Sequence, residues 1–560
     1  MRTQWLLGCG VSIVLAMSGV APANAQEGRA ETAVRSTSPV TDVIETVVSL
    51  PAPLPPAAGQ HPPECDRLSY LRFRAANGPA DAADADRILV AQPGIFEGAG
   101  AFESVARNTV STAAAAGRYI EFWALDRRSN CLEDHAGVAA ALRTGDLDVA
   151  TDYYFHKREV DGRRFAGYAD GAQTEWLRGV GLEQTLRDQY ELLRRELPDP
   201  AVRANKVLCG GHSLGGFVTG FFAQWDFDGN PATLDDAGFA QCAGYFALDT
   251  VVDAALPVPG FGPLDLPAPV AAPLAAVGGV ATGALPVLRL PAVINPETTN
   301  LLALTGLAAR LNPEGVNDIV ARLPHNTNVD LSLRTLLAGN FAMFATGSPD
   351  VRTLNATNDA VLGSIMDDNS MILGFIQASV GFVRGPVVPK SFPVPNEVLS
   401  NPLMRSAFGN APKVSPAEFS NPVVVYGWDD YDEVVPGPFT GPANEITSIR
   451  QLARSLCEQP LDFTEWYFPT QLVTDLSAGN APALAAHRLH RDGVLRHPVF
   501  TAEAKDGLID PPRARAGDVV LVMPGYNHID LLTAAAKQND GRPEQVSTAL
   551  AAFATRPVLR

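Results

Sequence analysis

The sequence has few charged residues for its length, and most of them are acidic. Asp, Glu, Lys and Arg make up 19% of the 560 residues, with 61 acidic against 43 basic side chains and a formal net charge of -18. Proteins that bind phosphate backbones or anionic lipid headgroups need an excess of positive charge. We therefore expect neither nucleic acid nor an anionic membrane surface as the main partner.

Cysteine and histidine are also scarce, with 6 and 9 residues. They do not occur at the spacings typical of zinc sites. The stretch Asp226–Asn230 resembles a fragment of a calcium loop but lacks the full ligand spacing, and we interpret it as a turn. The sequence therefore predicts no metal site.

Long uninterrupted helical patterns are missing, because 45 Pro and 48 Gly are spread through the chain. This composition excludes a coiled coil or a helical repeat. The first residues form a separate segment: a basic start at Met1-Arg2, an apolar stretch over residues 5–20, and the small-x-small sequence Ala23-Asn24-Ala25. These features predict a signal peptide over 1–25 and an exported protein, periplasmic or extracellular.

Strand and helix patterns alternate through the rest of the chain. Residues 26–62, rich in Pro and Ala, predict a loosely held extension. An amphipathic helix is predicted at Gly181–Glu196. Strands are predicted at Leu68–Arg74, Arg87–Ala91, Tyr119–Leu125, Lys206–Gly210, Gly244–Leu248, Pro422–Tyr426 and Asp518–Met523. This alternation predicts an α/β protein with a mostly parallel central sheet flanked by helices.

A Gly-x-Ser-x-Gly pattern, Gly211-His212-Ser213-Leu214-Gly215, follows the fourth of these strands directly and precedes a predicted helix. Strand, sharp turn and helix in this order form a nucleophile elbow, in which the glycines make room for a serine held in a strained conformation. Ser213 is therefore predicted to be a nucleophile. Its base must come from a distant segment, and His528 is the best placed histidine, because it follows the last strand just before a closing helical stretch.

With these features the chain resembles the serine esterases and lipases of the α/β-hydrolase superfamily, over residues 65–250 and 420–560. The resemblance implies an eight-stranded sheet, a Ser-acid-His triad, and an oxyanion hole. Its donors would be the amides of Leu214 and of Ile95 or Phe96. It also implies that Arg127 and Asp134 brace the floor of the site.

The resemblance offers three candidates for the acid. Asp249 ends the strand after the nucleophile strand, a position that some lipases use. The turn that ends in Val435-Pro436 resembles the turn in which many relatives carry the acid, and it contains both Asp430 and Asp432. We favour Asp432, with Asp430 as the alternative.

The cysteines are also interpreted through the resemblance. It places the strand at Leu68 beside the strand that ends at Leu125, which implies a Cys65–Cys131 disulfide. Cys209 is interpreted as a buried thiol, and the pairing of Cys242 and Cys457 is left open. Removal of the signal peptide leaves five cysteines, so at least one must be unpaired within the chain.

The distance between the predicted strands at Leu248 and Pro422 is too long for a simple loop and predicts an inserted cap. An uncharged apolar run, 266–288, contains too many prolines and glycines for a membrane span. Six apolar residues either form the core of the cap or line an acyl pocket: Met343, Phe344, Met366, Met371, Phe375 and Phe382.

The predicted organisation has seven parts. They are the signal peptide (1–25), the N-terminal extension (26–62), the first part of the hydrolase core (63–250), a large cap or lid (251–420), a core strand with the acid turn (421–438), a second cap insertion (439–515) and the last core strand with the histidine and closing helix (516–560).

The predicted function is a secreted serine hydrolase that cleaves carboxylic esters through an acyl-enzyme, needs no cofactor, and acts on a small-molecule or lipid-like substrate with apolar acyl groups. An aminopeptidase-like peptidase of the same fold is the first alternative, and a charged pocket for a peptide terminus would distinguish it. A non-catalytic secreted binding protein is the second alternative.

Overall fold

The computed structural model describes residues 28–254, 285–289, 295–316, 318–478, 481–505, 507 and 511–557. The predicted signal peptide and most of the apolar run 266–288 lie outside these residues.

The described residues form thirteen strands. They are β1 (Ala30–Ala33), β2 (Val43–Pro51), β3 (Arg67–Ala75), β4 (Arg87–Gln92), β5 (Ile120–Leu125), β6 (Val207–His212), β7 (Gly244–Leu248), β8 (Phe382–Arg384), β9 (Val387–Pro389), β10 (Val414–Pro416), β11 (Gly427–Asp429), β12 (Val499–Ala504) and β13 (Val519–Met523).

The same residues form eighteen α-helices. They are α1 (Glu103–Ala115), α2 (Ala136–Thr144), α3 (Leu147–His156), α4 (Gly171–Thr174), α5 (Leu182–Glu196), α6 (Pro200–Lys206), α7 (Leu214–Gln224), α8 (Pro296–Leu311), α9 (Ile319–Arg322), α10 (Thr327–Leu337), α11 (Phe341–Thr346), α12 (Asn358–Met366), α13 (Pro402–Phe408), α14 (Ile449–Ser455), α15 (Thr470–Ser477), α16 (Pro482–Ala485), α17 (Asp530–Thr533) and α18 (Gln545–Ala554).

Nine of the strands form one sheet in the order β1-β2-β3-β5-β4-β6-β7-β12-β13. The first three strands are antiparallel to their neighbours, and every pair from β5 to β13 is parallel. Parallel strands are covered on both faces, so their side chains are buried on both sides. β5, β6 and β7 follow this rule, since every residue in them is buried.

The two faces of the sheet belong to two cores. Leu89 and Phe122 pack in the core that contains α1 and α18, whereas Val90 and Trp123 pack in the core that contains α5 and α7. Successive strand residues point to opposite faces, so neighbouring residues in one strand enter different cores. The mostly parallel sheet flanked by helices, predicted from the sequence, is confirmed.

One predicted core strand is wrong. Residues Pro422–Tyr426 are not in the nine-stranded sheet, and Val423 is 87% exposed. They precede β11, which pairs with β8 in a separate two-stranded sheet of the cap. A run of apolar residues does not by itself reveal whether its side chains are covered. The segment 421–438 therefore belongs to the cap and not to the core.

The position predicted for that strand is occupied by β12, which lies between β7 and β13 and is parallel to both. The sequence analysis placed these residues inside the second cap insertion, 439–515. The strand contains Thr501 and Glu503, which interrupt the apolar pattern although both side chains are buried. The core therefore resumes at Val499, earlier than predicted.

The cap is mainly helical. Its central helix, α8, packs against α12 and α14, and also against α2 and α3, which precede the elbow in sequence. A buried ion pair joins this cap to the core: Arg454 of α14 donates two hydrogen bonds to Glu103 of α1, at 2.7 and 2.6 Å. Cap and core therefore share one continuous buried cluster.

Two disulfides are present among the described residues. Cys65–Cys131 is the predicted pair. Cys209 is joined to Cys242 and is not the buried thiol that the sequence suggested, because parallel pairing of β6 and β7 brings the two cysteines together. Cys457 is a buried free thiol. In the described part of the chain, no helix has the length and apolar composition needed to cross a bilayer.

Candidate active site

Ser213 lies at the sharp turn between β6 and α7. Its backbone has φ 53° and ψ -122°, a left-handed conformation that is strained for a residue with a Cβ atom. The Ser213 amide donates to the carbonyl oxygen of Leu248 at 3.2 Å, which fixes the turn to the end of β7. This is the predicted elbow geometry, with the serine partly exposed at the edge of the sheet.

The glycines that flank the serine are required by the close approach of β4. A Cβ atom on Gly215 would lie 2.0 Å from the carbonyl oxygen of Gln92, and one on Gly211 would lie 2.4 Å from the same atom. Real Cβ contacts are not this short, so a larger residue at either position would move β4 away from the elbow.

His528 is buried, and its Nδ1 is hydrogen-bonded to Oδ2 of Asp249. Asp249 follows β7, and its other oxygen, Oδ1, accepts from the amide of Ala504 at 2.9 Å. Burial raises the pKa of Asp249, but the hydrogen bond from His528 and the charges of His528 and His212 outweigh it, so the pKa lies below its ordinary value. The carboxylate stays ionised and fixes the orientation of the imidazole ring.

The two acids favoured from sequence are not beside His528. Asp432 is exposed on the cap. Asp430 is buried, but it accepts hydrogen bonds from Ser448 Oγ at 2.9 Å and from the Ile449 amide at 2.8 Å, at the start of α14. Because the strand predicted at Pro422–Tyr426 is not in the sheet, this turn lies in the cap. The placement of the acid at Asp432 or Asp430 is therefore corrected, and Asp249 is the carboxylate bonded to His528.

The structure records no hydrogen bond between Ser213 and His528 among its described residues. Such bonds are often long in ligand-free enzymes and form when substrate binds. Ser213 and His528 nevertheless have His212 as a common neighbour. The ring of His212, the residue before Ser213, lies 4.3 Å from the His528 ring between centroids.

The loop after β4, predicted to complete an oxyanion hole, follows Gln92 at the same edge of the sheet. Phe96 in this loop has φ 60°, which again is strained for a non-glycine residue. Ile95 is partly exposed, and the amide of Leu214 is the first of α7, where helix amides have no partner within their own helix.

Arg127 binds the backbone of the loop after β4. Its guanidinium donates to the carbonyl oxygens of Pro93 and Gly94, and it forms a 2.5 Å ion pair with buried Glu465. The sequence analysis predicted a bracing role for Arg127, and its contacts are with the loop itself. Asp134 instead accepts from the hydroxyl of Tyr153 at 2.7 Å, next to α2 and α3.

A buried pair that the sequence analysis did not assign joins the three loops of the site. Glu97 accepts from the Gly94 amide at 2.6 Å, and its other oxygen lies 2.7 Å from Nδ1 of His212. Nε2 of His212 lies 3.0 Å from the carbonyl oxygen of His528. Both ring nitrogens face acceptors, so His212 donates from both and carries a positive charge.

The pKa values agree with this charge state. Burial lowers the pKa of His212, but the Glu97 charge and hydrogen bond raise it, and the net pKa is above the ordinary value. Burial raises the pKa of Glu97, but His212 lowers it to a net value below the ordinary range. The ion pair therefore holds together the loop after β4, the elbow at Ser213 and the loop that carries His528.

A cavity that is partly open to solvent lies between the loop after β4 and the cap. Ile95, Phe96 and Ile529 form its wall on the core side, and Met366, Met371 and Phe375 contribute on the cap side. Three of the six apolar cap residues singled out from sequence thus line the cavity. The other three pack within the cap: Met343 is buried, Phe344 stacks on Phe392, and Phe382 stacks on Phe439.

No family model and no curated protein matches the sequence. Solved structures that it resembles include a peroxisomal alpha-beta-hydrolase from Saccharomyces cerevisiae, with 11% identity, 92% of this chain and 90% of that chain covered, and a TM-score of 0.33. A lipase in an open form has 12% identity, coverage of 95% and 100%, and a TM-score of 0.28. A monoglyceride lipase from Saccharomyces cerevisiae has 10% identity, coverage of 87% and 91%, and a TM-score of 0.27.

These values describe a distant likeness, so the fold is assigned from the features of the chain itself. The sheet has the expected antiparallel strand, β3, beside β5, and every pair from β5 to β13 is parallel. The strained serine lies between β6 and α7, and the residues Ser213, Asp249 and His528 occur along the chain in the order serine, acid, histidine. This protein has the α/β-hydrolase fold.

Proposed function

We propose that the protein is a serine hydrolase that cleaves carboxylic ester bonds, with Ser213 as nucleophile, His528 as general base and Asp249 as the acid. The observation that carries this proposal is the hydrogen bond between His528 and buried Asp249 at the sheet edge where Ser213 has its strained turn. A serine hydroxyl is a weak nucleophile unless a base accepts its proton, and the base must be held in one orientation.

In the proposed mechanism, His528 accepts the proton of Ser213 as the serine oxygen attacks the acyl carbon. The amides of Leu214 and Ile95 donate to the oxyanion that forms. His528 then donates the proton to the leaving alcohol, and an acyl-enzyme remains. Water repeats the attack with the same base, and the acid product leaves.

The cavity favours esters with apolar acyl groups over peptides. Among the described residues that line it, Glu97 is the only charged one, and its carboxylate is already bound to His212 and to the Gly94 amide. A pocket that recognises a charged peptide terminus needs an unpaired charge of the opposite sign. The same apolar lining fits an alkyl chain.

We also propose that the protein is exported. Two disulfides among the described residues suit an oxidising compartment, and residues 1–25 have the pattern of a signal peptide.

The test is a series of nitrophenyl esters of increasing acyl length, measured beside aminopeptidase substrates. We expect ester hydrolysis and covalent labelling by a fluorophosphonate in the wild type. Ser213→Ala should lose both, with a fall in kcat on the order of a million-fold. Ser111→Ala is the matched control. It removes a serine hydroxyl of α1 that donates to Asp42, and it should keep both ester hydrolysis and labelling. Labelling that persists in Ser213→Ala would exclude Ser213 as the nucleophile, and faster cleavage of the peptide substrates would favour the peptidase.

A further inference from the structure

Three side chains with metal-binding atoms meet where the core touches the cap. Glu133 and His135 follow β5, and Asp462 lies in the segment that leads to the cap residues 463–468. One ligand atom from each lies within 4.8 Å of the other two. Nδ1 of His135 is 3.0 Å from Asp462 Oδ1, and its Nε2 is 3.6 Å from Glu133 Oε2.

One oxygen in this group is buried without a hydrogen bond. The Glu133 side chain is 0% exposed, and its Oε1 accepts from the Trp466 amide at 2.7 Å. Its Oε2 has no hydrogen-bond partner and is directed toward His135. A buried carboxylate oxygen without a hydrogen bond is costly, and a cation bound beside Oε2 would compensate for that cost.

The balance of charge around Glu133, His135 and Asp462 also favours a bound cation. Glu133 and Asp462 contribute two carboxylates to the group, and His135 is the only basic side chain among its three members. The nearest arginine along the chain, Arg128, is already paired with Asp188. The group therefore has more negative than positive charge in a region of low solvent access.

The group is nevertheless open to the solvent on one side. The His135 side chain is 30% exposed, whereas that of Asp462 is 9% exposed. An ion can therefore reach the site from the solvent without any opening of the cap.

We propose that Glu133, His135 and Asp462 bind one divalent transition-metal ion of the zinc class, with water in the fourth position. One imidazole nitrogen and two carboxylate oxygens form a donor set that suits zinc and its first-row neighbours. Ligand atoms around tetrahedral zinc lie about 3.4 Å apart, given metal–ligand distances of about 2.1 Å. Because the two carboxylates face different nitrogens of the His135 ring, the imidazole must turn so that one nitrogen and one oxygen from each acid meet at the ion.

The proposed ion would connect the turn after β5 to a cap segment that contacts the oxyanion loop. The carbonyl oxygen of Asp462 accepts from the Gly100 amide at 3.0 Å, and that of Phe463 accepts from the Gly98 amide at 3.0 Å. The ion would thus stabilise the cap against the loop after β4. This assignment does not depend on the proposed hydrolase activity.

The first test is Zn²⁺ binding to chelator-treated full-length protein, measured by calorimetry and by metal content after dialysis. We expect one Zn²⁺ per chain and a rise in Tm. Glu133→Gln and His135→Asn should each weaken binding at least about 100-fold, since the loss of a direct ligand costs more than the loss of an outer-shell partner. His156→Asn is the matched control, because His156 forms an exposed pair with Asp152 at 3.0 Å, and it should bind Zn²⁺ as the wild type does.

A second measurement uses the unchanged protein, so it holds even where a variant fails to fold. Zn²⁺ at saturation should protect His135 from modification by diethylpyrocarbonate, mapped by mass spectrometry, and should leave His156 reactive. Modification of His135 at the same rate with and without Zn²⁺ would overturn the proposal, because the imidazolium would then only bridge the two carboxylates. Zn²⁺ that is retained in Glu133→Gln and lost in Asp228→Asn would place the ion in the 226–236 turn and would equally overturn it.

Discussion

Three residues at the site have left-handed backbone conformations although they are not glycines: Phe96, Ser213 and Asp249, with φ of 60°, 53° and 44°. Each such residue costs on the order of 1–3 kcal/mol and persists only where its surroundings impose it. Here the surroundings are the Glu97–His212 ion pair and the amide of Ala504, which hold the loops that carry these residues. Strain at this edge of the sheet is therefore maintained by buried polar contacts.

Asp249→Asn tests the assignment of the acid. The amide cannot hold the His528 ring in the tautomer that accepts the serine proton, so we expect kcat to fall about ten-thousand-fold with little change in KM. Asp432→Asn changes an exposed cap residue and serves as the matched control, with kcat close to the wild-type value. A larger fall in kcat in Asp432→Asn than in Asp249→Asn would show that Asp432, in the cap turn, is the acid.

His212→Asn tests the ion pair beneath the site. Removal of one partner leaves Glu97 buried with an uncompensated charge, and we expect a loss of about 3–5 kcal/mol in the free energy of unfolding. The measurement is urea denaturation monitored by tryptophan fluorescence. His156→Asn, at an exposed pair, should leave the unfolding midpoint unchanged.

The effect of His212→Asn should also depend on pH, with a sign for each partner. The pKa of Glu97 is lowered by folding, so its contribution is lost as pH falls through that lowered pKa. The pKa of His212 is raised, so its contribution is lost as pH rises through that raised pKa. The difference between wild type and variant should therefore be largest between the two pKa values. A difference that stays constant with pH would show that the pair is not charged.

The elbow at Ser213 can be predicted from the sequence because it is local: a buried strand, two glycines and the start of a helix lie close together along the chain. His528 could be selected for the same reason, since it follows a recognisable strand. Asp249 is harder to select from the sequence, because its proposed role depends on which strand lies next to β7. That neighbour, β12, has a mixed polar pattern that does not indicate a buried strand.

At the scale of elements, β12 holds Asp249 in place. The Asp249 amide donates to the carbonyl oxygen of Ala502 at 2.7 Å, and Ala504 donates back to its carboxylate. Gly507, just after the strand, leaves room for this carboxylate, since a Cβ atom there would lie 2.2 Å from Asp249 Oδ1. The family resemblance implied eight strands, whereas the sheet has nine, and β1 and β2 come from the segment 26–62 that was expected to be loosely held. Only pairing reveals which segment fills each position.

The Cys65–Cys131 disulfide ties the turn before β3 to the turn after β5. It closes a loop with a sequence separation of 66 residues. In the chain-entropy model such a crosslink contributes roughly 4 kcal/mol. We expect the Cys65→Ala/Cys131→Ala variant to show a clearly lower Tm in calorimetry. Cys457→Ala, which removes a buried thiol without a crosslink, should lower Tm much less.

Leu302→Trp tests the cap helix α8 as a determinant of acyl length. Leu302 lines the cavity and is partly exposed, so the larger side chain should reduce the volume without unfolding the helix. We expect kcat/KM to fall about 10- to 100-fold on a long-chain nitrophenyl ester and to change little on the acetate. An equal loss on both esters would mean that this cavity does not hold the acyl chain.

At the scale of the whole molecule, the Glu103–Arg454 ion pair holds the cap on the core. Burial raises the pKa of Glu103, but Arg454 and Arg107 outweigh it and keep the carboxylate ionised. Arg454→Met should therefore leave a buried charge with one partner fewer, and we expect faster cleavage of the cap in limited proteolysis. Arg450→Met, on the same helix but about half exposed, is the matched control and should be cleaved at the wild-type rate.

The bond between Asp249 and His528 spans 279 residues of sequence, and the cap lies entirely within that span. Contacts between residues so far apart form late, because the ends of a long loop must first be brought together. During synthesis the ribosome releases the elbow serine and the aspartate hundreds of residues before the histidine. In the proposed mechanism, a partly made chain thus carries its nucleophile without a base, and we expect its reactivity to begin only when the cap has been enclosed and β13 has joined the sheet.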